Sequence, residues 1–394
     1  MKALPGSGFD FDAVVERTGT DSLKWAKFAG REEAGGIIPL WVADMDFASP
    51  PAVLRAMHRR IDHGVFGYNV PTAEQSEAVT GYLARHFGWE IESEWIVWLP
   101  GLVTGINVAC RATGGTGDAV FTATPVYPPF LSAPHHAGRR LATVPLVRDS
   151  GGWLWDFPAC DAALKGSSAR LFLLCHPHNP TGRAWSEDEL WQVALLAEKY
   201  DLIVCSDEIH SGLVLAPGVR HKPLATLGPE IAGRTITLMA PSKTFNIPWL
   251  GCAFAIIPSA SLRRSFRAAM QGIVPHVNAL GMVACDAALR DCDDWQEALL
   301  TYLRSNARAV ERAVGEARGL DMRPIEATYL AWIDAREYAA AHGTTDPVPL
   351  FEAHGLGLSD GAEFGAPGFV RLNFGTRRTL LDEALARLTQ ATDG

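Results

Sequence analysis

The chain has 394 residues, of which 48% are hydrophobic and 20% charged. That is the mixture of a packed protein of about two domains, long enough to bury its core without disulfides or a structural metal. The 35 Lys and Arg against 44 Asp and Glu give a formal charge of −9. This argues against nonspecific binding to nucleic acid or an anionic membrane, and is compatible with a local basic pocket for a small anion.

The amino-terminal stretch MKALPGSGFDFD lacks the apolar centre of a signal peptide. Ser49 is placed to cap a helix that starts at Pro50-Pro51 and runs to about His63. Short apolar runs then recur at residues 119–124 (AVFTAT), 170–175 (RLFLLC), 202–206 (LIVCS), 235–239 (TITLM) and 252–257 (CAFAII). Each is too short for a helix and reads as a strand buried on both faces, as in a mostly parallel sheet. Among them, Ser186 to Glu189 is a capping box that opens a helix over 190–199. The alternation over roughly residues 50–275 predicts a doubly wound α/β domain.

Beyond about residue 285 the pattern changes. A long amphipathic helix is expected over 296–318, a strand over 328–334 (TYLAWID) and a capped helix over 379–392. The reading divides the chain into an N-terminal segment (1–48) packing with the small domain and lining the site, a large domain (49–284) and a small C-terminal α+β domain (285–394). Seven cysteines are scattered without a CxxC pair, and Cys175, Cys205 and Cys252 sit in apolar runs. They read as free thiols of a reducing compartment. No run of about 18 apolar residues is present to span a membrane. A soluble, cytoplasmic protein is expected.

In an open α/β sheet, ligands bind at the carboxyl ends of the strands. RLFLLC is followed by His176 to Gly182 (HPHNPTG), LIVCS by Asp207-Glu208-Ile209-His210, and TITLM by Ala240 to Asn246 (APSKTFN). Three neighbouring strand ends thus offer an amide, a carboxylate and a lysine to one crevice.

Asn179 to Gly182 (NPTG), Asp207 after its strand and Ser242-Lys243 resemble the fold-type I enzymes of the class I/II aminotransferase superfamily. These use pyridoxal 5′-phosphate (PLP). PLWVADMDF (39–47), FGYNVPT (66–72), PVYPPF (125–130), DEIHSGLVL (207–215), SKTFNI (242–247) and RTGTDSLKW (17–25) look like the bacterial cystathionine β-lyase or C–S lyase branch. The resemblance runs from about residue 9 to 390. It implies an α,β-elimination of cystathionine or another S-substituted cysteine, with an aminotransferase as the alternative.

The resemblance also implies roles. Lys243 would hold PLP as a Schiff base and then serve as general base. Asp207 would pair with the pyridine nitrogen, Asn179 with the 3′-oxygen, and Tyr127 would stack on the ring. The amides of Leu102 and Val103, in PGLVTG before the helical run 106–113, would cradle the phosphate. Ser242, Thr244 and His210 would line the cofactor. Tyr68 would reach the phosphate of a neighbouring subunit, which makes the enzyme a homodimer with composite sites. Arg371 would fork onto the substrate carboxylate, and Asp44 would also contact substrate. Ala240, His210 and Gly251 replace residues usual in aminotransferases and agree with the lyase branch. Ala26 and Gly212 stand where that branch usually has aspartate. Two rival readings, a metal enzyme using His176, His178, Asp207, Glu208 and His210 and a non-catalytic PLP-binding regulator, leave Lys243 or the full residue set unexplained.

Overall fold

Along Ala169–Cys175 every residue but Arg170 is buried, and the side chains divide by parity. Leu171, Leu173 and Cys175 enter one hydrophobic layer, Phe172 and Leu174 another. A strand covered on both faces shows no polar alternation, which is why the run reads as continuous. The structure, a computed structural model, describes residues 8–31 and 36–393. The first seven residues of MKALPGSGFDFD lie outside the described residues.

The main sheet has seven strands: β1 (Ile96–Leu99), β2 (Ala119–Thr124), β3 (Arg140–Pro145), β4 (Ala169–Cys175), β5 (Ile203–Asp207), β6 (Thr235–Met239) and β7 (Ala253–Ile256). Their order is β1-β7-β6-β5-β4-β2-β3. β7 runs antiparallel to both neighbours, and the other strands share one direction. The run 252–257 is therefore the antiparallel member of the expected set. A parallel return is usually made through a helical crossover, and residues 240–252 between β6 and β7 hold turns only, among them the one bearing Lys243 and Pro248–Leu250. Helices pack on the sheet: α1 (Pro51–Asp62), α2 (Ala73–Phe87), α3 (Leu102–Ala112) and α4 (Glu187–Lys199) among them. The capping box of α4 forms as read, with Ser186 and Glu189 bonding each other's backbone N–H. Ser49 does not cap α1. Pro50 occupies that position, and the Ser49 hydroxyl donates to the carbonyl of Asn246 at 3.0 Å.

Two further helices, α5 (Asp293–Glu316) and α6 (Arg378–Asp393), accompany a second, antiparallel sheet. It consists of β8 (Asp321–Met322), β9 (Leu330–Asp334), β10 (Ser359–Asp360) and β11 (Phe369–Asn373), in the order β8-β9-β11-β10. The N-terminal segment is sewn onto this region. Ile38–Pro39 pairs in parallel with Leu356–Gly357, and the Asn373 amide donates to the Leu40 carbonyl at 2.8 Å.

Four charges hold the same segment. Lys24 is wholly buried, with Nζ 2.8 Å from Asp46 and 3.8 Å from Asp44; Arg17 reaches Asp46 at 2.6 Å and Asp44 at 2.7 Å. Burial alone raises the Asp46 carboxyl, but Lys24 and Arg17 outweigh it and hold the group below its ordinary 3.8. Its stabilisation is therefore complete above that pH and is lost as pH falls through the lower folded value. Asp46→Ala leaves the buried Lys24 without its nearest counter-charge and is expected to cost about 3–5 kcal/mol. Urea unfolding should show a lowered midpoint at unchanged slope; a loss below about 1 kcal/mol would dismiss the cluster as a structural anchor.

Candidate active site

Register brings the three strand ends together: Cys175 lies beside Asp207, and Asp207 beside Leu238. Asn179 follows the end of β4 by four residues, and Lys243 follows the end of β6 by four. Asp207 closes β5 itself at 4% exposure. Its buried carboxyl accepts one backbone hydrogen bond, from Ile209 at 3.2 Å. Burial pushes it up to about 7, although that amide and Lys243 pull the other way.

Lys243 sits in the turn after β6, partly covered, with Nζ donating to the Ala43 carbonyl at 2.7 Å. The hydroxyl of buried Tyr329 donates to the same carbonyl at 2.8 Å. Burial and the neighbouring Arg371 bring the ammonium down to about 8, against the opposing pull of Asp44 and Asp207. Arg371, on β11 between Trp332 and Ser359, is buried. It donates to Asn179 Oδ1 at 3.0 Å, to the Trp41 carbonyl at 2.8 Å and to Ser359 Oγ at 3.3 Å. Burial lowers even this guanidinium to about 10.

The other residues singled out in the sequence distribute as follows. Tyr127 is partly buried beside the crevice, its amide donating to the Asn179 carbonyl at 3.1 Å; burial and the negative charge of Asp207 raise its phenol. Leu102 and Val103 begin α3, four residues earlier than the expected helical run, so their amides belong to a helix N-terminus. His210 is buried, and burial with the positive charges of Lys243 and Arg371 holds its imidazole far below the ordinary value. Ser242 is partly covered and Thr244 buried. Gly212 packs against Thr244: a Cβ there would lie 2.6 Å from Thr244 Oγ1 and 2.9 Å from Gln296 Nε2. Asp44 is engaged with Arg17 and Lys24. Tyr68 is fully exposed between α1 and α2.

The metal reading loses its ligands to other bonds. His176 donates to the Lys222 carbonyl, His178 bonds Thr181, and Glu208 bonds His221. Among the described residues no three His, Cys, Asp or Glu are grouped to hold a metal ion.

The sequence reading gave no role to several residues that build the crevice. Asn246 sits at φ +52° and uses its amide on Met45 and Phe47, with bonds of 2.8–3.0 Å. Asn373 is wholly buried and donates to the carbonyls of Val42 and Asp44. Both hold residues 42–47 across the strand ends. Their only sequence signal is an asparagine beside a strand end, which turns share.

A sequence profile of the aminotransferase class I and II family matches residues 36–388. The chain belongs to that family. It is 36% identical to the cystathionine β-lyase PatB of Bacillus subtilis over 97% of this chain and 99% of that one. The crystal structure of OvoB superposes with a TM-score of 0.93 at 44% identity, covering 98% and 99% of the two chains. Cystalysin from Treponema denticola, whose crystal structure contains pyridoxal 5′-phosphate, superposes at 0.92 with 31% identity and the same coverage. The fold is therefore the fold-type I arrangement of this family.

The donor set of this chain fits that cofactor. Asp207 is a buried carboxylate short of a cation, and His210 Nδ1 and Arg371 Nε are buried polar atoms with no hydrogen-bond partner among the described residues. In the cofactor-free protein, reaction of Lys243 with an amine reagent should follow a titration midpoint near 8, against an ordinary lysine value of 10.5. Peptide mapping of labelled protein across pH would show it; a midpoint above about 10 would contradict the described environment.

Proposed function

We propose that the chain is a PLP-dependent carbon–sulfur β-lyase. It takes cystathionine or another S-substituted L-cysteine, with water, to a thiol, pyruvate and ammonia. The observation that carries this is the meeting of Lys243, Asp207, Asn179 and Arg371 in one crevice, in a chain that matches a cystathionine β-lyase along nearly its full length.

When bound, the cofactor supplies an electron sink for the pair left at the substrate Cα. Lys243 would hold it and would carry the Cα proton; an amine near pH 8 is a competent base in the neutral to mildly alkaline range. The Ala43 carbonyl gives the free amine a resting partner. Asp207 accepts from the pyridine N–H and so gains its missing cation. Asn179 has its oxygen taken by Arg371, which leaves its amide N–H groups to donate to the 3′-oxygen. The amides of Leu102 and Val103 receive the phosphate, Tyr127 stacks on the ring, and His210 and Ser242 line its edge. Arg371 takes the substrate α-carboxylate as a fork, and Asp44 borders the substrate.

The exposed Tyr68 serves the phosphate of a second subunit in a homodimer with composite sites. The domain boundaries are placed at 48/49 and 284/285; both lie outside the spans of the two sheets, and the second falls within the helix Ala279–Asp291. The enzyme works in the cytoplasm, in keeping with seven free, buried cysteines. Among the described residues no helix is long and apolar enough to cross a membrane.

Purified enzyme given S-substituted cysteines without any 2-oxo acid should release thiol and pyruvate in equal amounts. Product that appears only when a 2-oxo acid is added would make it an aminotransferase, the reading its family name favours. Arg371→Lys keeps the charge and loses the fork, so kcat/KM should fall by roughly 2–4 kcal/mol, about thirtyfold to a thousandfold, with the cofactor retained. A change within twofold, or loss of the cofactor, would exclude the carboxylate role. Hybrid dimers of Tyr68→Phe and Lys243→Ala subunits, each parent impaired, should regain activity because one site per dimer is intact. Verified hybrids without recovery would place Tyr68 outside the partner's site.

A further inference from the structure

A cleft of about 920 Å3 opens between the end of α2, the start of α4 and the 211–222 loop. None of Lys243, Asp207, Asn179 and Arg371 lines it. Its wall is rich in cations although the chain carries −9. Most of them are neutralised in place: Arg183 by Glu189 and Glu326 at 2.6 Å each, Arg85 and His86 by Asp293 at 3.3 and 2.9 Å. Two are not. Arg220 is exposed and makes no ion pair among the described residues, and Lys222 makes only a long one, 4.0 Å, to Glu187, a carboxylate that also lines the cleft.

His221 stands between them in sequence and also lines the cleft. Its side chain is 1% exposed, and its Nε2 lies 2.7 Å from Oε2 of the wholly buried Glu208. The other carboxyl oxygen of Glu208 accepts from Ser206 Oγ at 2.8 Å and from the Leu224 amide at 3.2 Å. The imidazole is fixed between the ring of His176, 4.4 Å away, and that of Phe87, 5.3 Å away. His176 is itself held, donating to the Lys222 carbonyl at 3.1 Å. Burial disfavours charge on both partners, raising the Glu208 carboxyl to about 7 and lowering the His221 imidazole to about 3. Below the Glu208 value of about 7 the pair has no net charge, with one proton between Oε2 and Nε2 and a second on Nδ1. That Nδ1–H has no acceptor among the described residues. A buried donor without a partner is costly, so its natural complement is an acceptor brought from outside.

We propose that this cleft is a second binding site, separate from the Lys243 crevice, for a small oxyanion, carboxylate or phosphate, received by Arg220, Lys222 and the Nδ1–H of His221. The test uses borohydride-reduced holoenzyme, in which the fixed cofactor keeps its own phosphate pocket filled. Inorganic phosphate and acetate, each to about 20 mM, are titrated calorimetrically against sodium chloride of matched ionic strength. Saturable binding of at least one is expected, weakened at least tenfold in Arg220→Ala/Lys222→Ala and little changed in Arg371→Lys. Binding of phosphate alone marks a phosphoryl ligand, and of acetate alone a carboxylate. Glu208→Gln, whose amide donates to Nε2 and leaves the proton on Nδ1, should bind within about threefold of wild type, and His221→Phe should not bind. Absence of saturable binding in the wild type overturns the proposal. So does binding that the Arg220/Lys222 double variant, confined to side chains at the surface, leaves unchanged.

Discussion

A carboxylate at the buried end of a central strand is the constraint around which the rest is arranged. Asp207 has one backbone donor and almost no water, so its charge depends on cations nearby. Lys243, delivered by the turn after the adjacent strand, is one. Covering the lysine lowers its own affinity for a proton, so the two groups approach neutrality from opposite sides. A site tuned in this way favours a bound group that brings its own positive nitrogen.

Arg371 meets the same constraint differently. A guanidinium this deep is tolerated only when its N–H groups find acceptors, and it finds a carbonyl, a hydroxyl and an amide oxygen from three distant parts of the chain. All three acceptors are neutral, so the positive charge is hydrogen-bonded but not cancelled. The crevice therefore holds a guanidinium whose charge its hydrogen-bond partners do not cancel. By taking the oxygen of Asn179, Arg371 also fixes which way that amide points.

How much of this could be read in the chain depended on how local each feature is. The buried strands 119–124 and 235–239 end where their sequence says, because an apolar run bounded by polar turns depends on few distant partners. The direction of β7 was not legible in its own residues; it depends on a connection made of turns, without an α-helix to carry a parallel crossover. Ser49 has a capping residue's chemistry, yet tertiary contact drew its hydroxyl to Asn246. Asn179, Asp207 and Lys243 could be found because strand ends converge by topology. Tyr329, Asn373 and the Ala43 carbonyl could not, since their roles exist only once residues 42–47 have crossed from the far end of the chain. The Glu208–His221 pair was equally hidden: its members stand thirteen positions apart, with an irregular loop between.

The stitching of residues 38–46 to β11 has a consequence for synthesis. Leu40 and Asn373 are 333 positions apart, so their contact must wait until everything between them has been made. While the polypeptide is still being made, the strands bearing Asp207 and Lys243 can pair with their neighbours, but the early segment has nothing to dock on. The guanidinium of Arg371 is made 128 residues after Lys243. A nascent chain thus carries Lys243 and Asp207 well before it carries the strand that places Arg371 beside them.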